Sequence, residues 1–249
     1  MSIQCYPLTA QQTLDIRALS NDVPTKLTVN VLKGETSREA HLRLPAGPTH
    51  FGFVWQGSVE LKRAAQADGF PLSAGLYFSL AEAAVLRAQE GLCVVISQHN
   101  QQGQFTVGGP IETVRRFPYI DGGTTSLLVP PIVLGDPVLN ALYMPPNVDQ
   151  TVHTHPSDRI GLIIRGSGQC CGDSSCDDLL PGTLFHISAN QAHRFVTTGQ
   201  GLDLVVFHPD SDMGFSDRNH PMLSRTLVDN IRATELPEIQ TTGHNVPSF

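Results

Sequence analysis

The stretch Ile160-Gly-Leu-Ile-Ile-Arg-Gly-Ser167 repeats, 109 residues on, the pattern of Phe51-Gly-Phe-Val-Trp-Gln-Gly-Ser58. Two further matches follow in the same order. Ala74-Gly-Leu-Tyr-Phe-Ser-Leu80 corresponds to Pro181-Gly-Thr-Leu-Phe-His-Ile187 at an offset of 107, and Gly91-Leu-Cys-Val-Val-Ile96 to Gly201-Leu-Asp-Leu-Val-Val206 at 110. A nearly constant offset over three segments makes the chain two copies of one unit of roughly 110 residues. The units are expected at 1–120 and 121–249, with Val107–Val133 as the link between them.

Each unit reads as β. The segments Phe51–Trp55, Leu76–Leu80, Leu92–Ser97, Ile160–Ile164, Leu184–Ile187 and Leu202–Phe207 are short and rich in Val, Ile, Phe and Leu, with Gly, Pro, Asn and Asp between them. Evenly spaced short strands point to a sandwich or jelly-roll barrel. Leu80–Gln89 has a helical composition, yet the repeat places it in a loop entering the next strand. The polar stretch after Pro209 is expected to be partly helical.

Composition excludes several classes. The chain has 249 residues, with 16 Lys+Arg against 23 Asp+Glu and a formal charge of −7. No basic block is present to displace counterions from phosphates, so no nucleic-acid partner is expected. No apolar run approaches the roughly 20 residues that span a bilayer, so no membrane partner is expected either. The N-terminus lacks the basic and apolar regions of a secretory signal, and the five cysteines are an odd count. Together these predict reduced thiols and a cytoplasmic protein. The run Cys170-Cys171-Gly-Asp-Ser-Ser-Cys176 lacks paired CxxC spacing and reads as a strand-end loop, with a redox-sensitive loop as the sharper alternative.

Of ten histidines, six (His153, His155, His186, His193, His208 and His220) fall between 153 and 220. His153 and His155, two apart on a strand, share a face. With His193 from a distant strand, they form a candidate set of three imidazole metal ligands that leaves coordination positions open. His186 and His208 are candidates for a general base or a supporting role, because imidazole titrates near neutrality. Structural histidines are the plain alternative for both. His220, in Arg218-Asn-His-Pro, reads as a turn residue.

On these residues the sequence resembles the cupin superfamily, and its two-unit layout resembles the bicupins. The first cupin motif, G-x5-H-x-H-x3,4-E-x6-G, finds His153, His155 and Gly166 in place, with Asn147 replacing the opening glycine. The second, G-x5-P-x-G-x2-H-x3-N, finds Gly182 and His193, with Ser188, Asn190 and Thr197 at the remaining positions. The resemblance spans about 40–100 and 130–210. It implies an all-β chain of two tandem cupin units, and cupins commonly pair through sheet edges into homodimers.

Arg159 stands where the family usually has a glutamate ligand. A guanidinium has no lone pair to offer a cation. The three histidines would therefore hold the metal alone, with Arg159 binding a carboxylate of the substrate bidentately. The alternative is that Arg159 pairs with a buried acid such as Asp203. The first unit lacks the histidine stretch: Ala46 to Gly52 spans six positions where Pro146 to Gly161 spans fifteen, and Leu86 falls opposite His193. That half is expected to hold no metal.

The resemblance implies a divalent metal, with Fe(II) favoured and Zn, Ni, Mn or Cu as alternatives. The implied function is that of a non-haem Fe(II) dioxygenase acting on a small anionic substrate. A redox-free isomerase, lyase or decarboxylase is the second reading, and a non-catalytic small-molecule-binding bicupin the third.

Overall fold

The computed structural model describes residues 3–8, 11–20, 23–211 and 225–240. Within them the chain forms two large sheets whose strand pairings are all antiparallel. The strands are β1 (Ile3–Pro7), β2 (Gln12–Ser20), β3 (Val23–Lys33), β4 (Ala40–Leu44), β5 (Thr49–Arg63), β6 (Phe70–Ser73) and β7 (Tyr77–Leu80). They continue with β8 (Ala84–Ala88), β9 (Gly91–Gln98), β10 (Thr106–Gly108), β11 (Phe117–Pro118), β12 (Thr124–Val129), β13 (Val138–Met144) and β14 (Arg159–Cys171). The second unit ends with β15 (Cys176–Leu179), β16 (Thr183–Ile187) and β17 (Arg194–His208), followed by the small hairpin β18 (Leu227–Val228) and β19 (Ile231–Arg232).

The first sheet runs β10-β7-β5-β9-β3-β2, with β4, β6 and β8 attached beside this path; the second runs β1-β16-β14-β17-β13-β12-β11, with β15 on β14. The two copies of the repeat thus give the same three-strand centre, β7-β5-β9 and β16-β14-β17. Among the described residues neither sheet closes on itself. The first strand of the chain, β1, pairs with β16 in the second sheet, Cys5 opposite Phe185.

Period two explains how such apolar strands are used. Phe51 and Phe53 on β5, and Ile160 and Leu162 on β14, face a core shared by the two sheets, where the Phe51 and Phe207 rings lie 5.0 Å apart. The alternate residues Val54 and Ile163 face separate interiors, one within each unit. Strands buried on both faces need continuous apolar runs, and the repeat supplies them.

The repeat's second glycine has the same task twice. A Cβ on Gly52 would lie 2.1 Å from the Phe78 ring, and one on Gly161 2.1 Å from the Phe185 ring. Each glycine makes room for the interior phenylalanine of the strand beside it.

Leu80–Gln89 departs from both readings of its sequence. Residues 84–88 form β8, pairing with β4 and β5. Ala84, Leu86 and Ala88 are buried while Arg87 is exposed, an alternation that burial enforces over helical composition. The register also revises the position matching His193: Leu61 opposes Leu86 as Cys170 opposes Phe195, so Ala84 occupies that place.

The cysteine expectation is corrected in part. Cys5, Cys93 and Cys170 are free, but Cys171 and Cys176 form a disulfide. They stand opposite each other in the β14–β15 register, which brings their side chains together. Cys170, pointing to the other face, is buried in the interior.

Past Asp210, the described part of the tail holds the β18–β19 hairpin and two short 3-10 turns, Ala233–Glu235 and Pro237–Ile239. His220 lies outside the described residues. No helix among those described is long and apolar enough to cross a membrane.

Candidate metal centre

His153, His155 and His193 converge, with one ligand nitrogen from each lying within 4.8 Å of the others. Their ring centroids are 4.5–5.1 Å apart. Among the described residues this is the only group of three or more His, Cys, Asp or Glu side chains so placed. His153 and His193 are locked by reciprocal backbone hydrogen bonds, each 3.0 Å, between the loop before β14 and the turn before β17. The Asn190 amide donates to His155 O at 2.7 Å and ties the third ligand to the same turn.

The motif substitutions now have physical reasons. Asn147 and Asn190, standing where the cupin motifs have glycine, both take φ +60. Asparagine is among the few residues with a side chain that tolerate this left-handed region. Thr197, in place of asparagine, donates to Pro145 O at 2.6 Å and accepts the Val148 amide at 3.0 Å, fastening the histidine loop to β17.

Ring orientation is set by main-chain carbonyls. His153 Nδ1 lies 2.8 Å from Thr151 O, and His193 Nδ1 2.9 Å from Gln191 O. A carbonyl only accepts, so each Nδ1 carries the proton and each Nε2 presents a lone pair. Burial pushes the pKa of His155 down to about 2, with Arg159, His193 and His153 adding to the effect. Burial likewise takes His193 down to about 4, opposed by its Gln191 bond and assisted by His153 and Arg159. Neutral imidazoles with directed lone pairs are the form a divalent transition metal needs, so the donor set fits one.

The 119–123 segment adds residues that sequence reading passed over. The Asp121 carboxylate accepts the Thr151 amide at 2.7 Å and its hydroxyl at 3.2 Å, which fixes the carbonyl that orients His153. Tyr119 packs against the interior of the second unit with its hydroxyl 3.4 Å from His153 Nε2. Burial raises the Tyr119 pKa, and the Arg159 charge opposes that rise. Asp121-Gly-Gly lies within the 107–133 link, and nothing local to it announces a contact 30 residues away.

Arg159 is buried on the interior face of β14, opposite Ile187. Its Nη1 donates to Ser157 O, Ser157 Oγ and Asp158 O at 2.7–3.0 Å, and Ser157 Oγ donates in turn to Asp210 at 2.5 Å. Its charge acts on His155, His193 and His208. Asp203, the alternative partner weighed from the sequence, is held by Arg115 and Arg165.

His208 shares a face with Val206, which belongs to the interior of the second unit. That is the interior Arg159 faces, and burial, Arg159 and His155 all lower the His208 pKa. His186 is not brought there. It shares a face with Leu184, and that face looks into the core between the sheets. Its Nε2 lies 2.6 Å from Asp158 Oδ1, while Asp158 Oδ2 accepts the Leu19 amide of β2 at 2.6 Å.

No family model matches the chain, and no curated protein does. Solved structures match its fold. A cupin 2 conserved barrel domain protein from Leptotrichia buccalis aligns over 80% of this chain and 89% of its own, at 14% identity and a TM-score of 0.57. A variant of Bacillus subtilis oxalate decarboxylase aligns over 84% and 77%, at 10% identity and a TM-score of 0.52. A variant of salicylate 1,2-dioxygenase from Pseudoaminobacter salicylatoxidans aligns over 74% and 71%, at 10% identity and a TM-score of 0.54. The all-β fold is therefore that of cupin proteins.

Proposed function

We propose that this chain is a bicupin whose second unit binds a divalent metal through His153, His155 and His193, and that it is a non-haem Fe(II) dioxygenase of a small carboxylate-bearing substrate. The observation that carries the reading is the triad itself: three imidazoles whose Nε2 or equivalent atoms converge, two of them fixed in tautomer by carbonyls. A bound iron would supply electrons for dioxygen chemistry at positions the three ligands leave open.

The chain's own residues supply orientation and charge. Arg159 sets a buried positive charge beside the histidines, and a guanidinium matches a carboxylate in shape and charge. Ser157 and Asp210 hold the guanidinium in place, so the substrate carboxylate meets a fixed cation rather than a swinging one. His208, on the face of β17 that carries Val206, is the candidate group for moving a proton on the interior side.

A redox-free reaction is the second reading. It draws on His208, which shares with Arg159 the interior face of the second sheet and gives that face a group able to move a proton on an enolisable acid. A match in fold to an oxalate decarboxylase is consistent with it. The proposed compartment is the cytoplasm, a reading that the free thiols Cys5, Cys93 and Cys170 support and the Cys171–Cys176 disulfide does not.

An oxygen-electrode screen of the Fe(II)-loaded protein against small hydroxy, thiol and diketo acids tests the proposal. Oxygen uptake that requires both Fe(II) and one of these acids is the expected result. Equal turnover of a substrate by the zinc form without oxygen overturns the dioxygenase reading in favour of the redox-free one.

A further inference from the structure

Tyr119 sits in a turn built around the metal centre. The 3-10 turn Ile120–Gly122 is closed by the Tyr119 amide donating to Gly123 O at 2.7 Å. Within it Asp121 adopts φ +53 and clamps Thr151, the residue whose carbonyl orients His153. The same turn lays the Tyr119 ring edge-on to His153, with centroids 6.4 Å apart. One short segment therefore both aims His153 and brings a phenol to the atom that would bind metal.

Among the described residues that hydroxyl has one hydrogen-bond partner, His153. Because His153 Nδ1 gives its proton to Thr151 O, Nε2 accepts from the Tyr119 hydroxyl at 3.4 Å. Metal binding takes the same lone pair and leaves the phenol without its acceptor. With metal–nitrogen bonds of about 2.1 Å, neighbouring donors of a tetrahedral site stand about 3.4 Å apart. The phenol oxygen already stands at that distance from the ligand nitrogen.

Charge points the same way. The ligand group contains three imidazoles and, among the described residues, no carboxylate. A divalent metal bound by neutral imidazoles alone keeps its full charge, which an oxygen anion among its ligands offsets.

The geometry points to Tyr119 as a fourth protein ligand of the centre, an inference that rests on the metal-binding reading. On binding, the O–H···Nε2 hydrogen bond breaks, a metal–oxygen and a metal–nitrogen bond form, and the phenol proton leaves to solvent. No electron is transferred in this step.

The test is optical and needs no substrate. Wild-type protein is titrated with Cu(II) and, separately, Fe(III), and followed by visible absorption and resonance Raman. A phenolate-to-metal charge-transfer band with tyrosinate ring modes is expected. Tyr119→Phe keeps the ring and its packing; it should lose the band, still bind metal, and bind it roughly 10–100-fold more weakly. Bound metal without a charge-transfer band in the wild type overturns Tyr119 as a ligand and leaves the triad standing. A band that survives in Tyr119→Phe also overturns it. No metal bound by the wild type overturns the metal-binding reading itself.

Discussion

His186 Nε2 lies 2.6 Å from Asp158 Oδ1, and the pair is buried. The other carboxylate oxygen receives the Leu19 amide, and the Asp158 amide is donated back to Leu19 O at 3.3 Å. Two residues flanking the centre thus serve the joint between the sheets. Removing one partner of a buried hydrogen bond typically costs about 1–3 kcal/mol, because the other is left unsatisfied. Asp158→Ala should lower stability by that order in chemical denaturation and leave metal stoichiometry unchanged. Wild-type stability with lost metal would assign Asp158 to the centre instead.

Asp121 acts on metal through Thr151 and His153 rather than by contact. Asp121→Gly removes the carboxylate and suits the positive φ at that position. Affinity for Zn(II) measured by chelator competition should fall roughly 10–100-fold, the usual effect of losing an orienting partner. Unchanged affinity would mean that the backbone bridge to His193 holds His153 on its own.

Acid should destabilise the metal-free protein in a defined window. His155 and His193 have folded values of about 2 and about 4, and His208 is also lowered, while unfolded histidines titrate near 6.5. Between those limits the unfolded chain binds more protons, so stability rises with pH there. It should be complete above about pH 6.5 and decline steadily as pH falls toward about 4. Urea midpoints of the apo protein at a series of pH values report this. A flat profile across the window would contradict burial of neutral imidazoles.

Arg159→Ala should retain metal and raise KM for an anionic substrate by at least tenfold, about 1.4 kcal/mol. It should also raise the pKa of His155 and His193, since a nearby positive charge is gone. Imidazole NMR titration of the apo variant checks the second effect without any substrate. Unaltered substrate kinetics would end the role of Arg159 in anion binding.

Much of the fold was legible because the repeat states it twice. Ile160-Gly-Leu-Ile and Phe51-Gly-Phe-Val give the facing of both central strands, and their glycines match interior phenylalanines from the neighbouring strand. The three histidines that the structure brings together are those that motif spacing singled out. What the sequence concealed was set by long-range contacts. Period two makes the faces of β16 and β17 alternate but does not say which face looks inward, and that separates His208 from His186. Asp121 and Tyr119 reach the centre only because the chain returns from residue 119 to residue 153, a closeness that no local pattern records. Likewise β8 is a strand because Ala84, Leu86 and Ala88 meet a core built by other strands.

The account stands most directly on metal content. Wild-type protein and His193→Ala, each reconstituted with Fe(II) without oxygen and desalted, should be compared by elemental analysis alongside circular dichroism. The account predicts about one metal per chain in the wild type and a small fraction of that in the variant, with both folded. Folded wild-type protein that retains no metal, or a His193→Ala variant that retains it fully, would contradict the account.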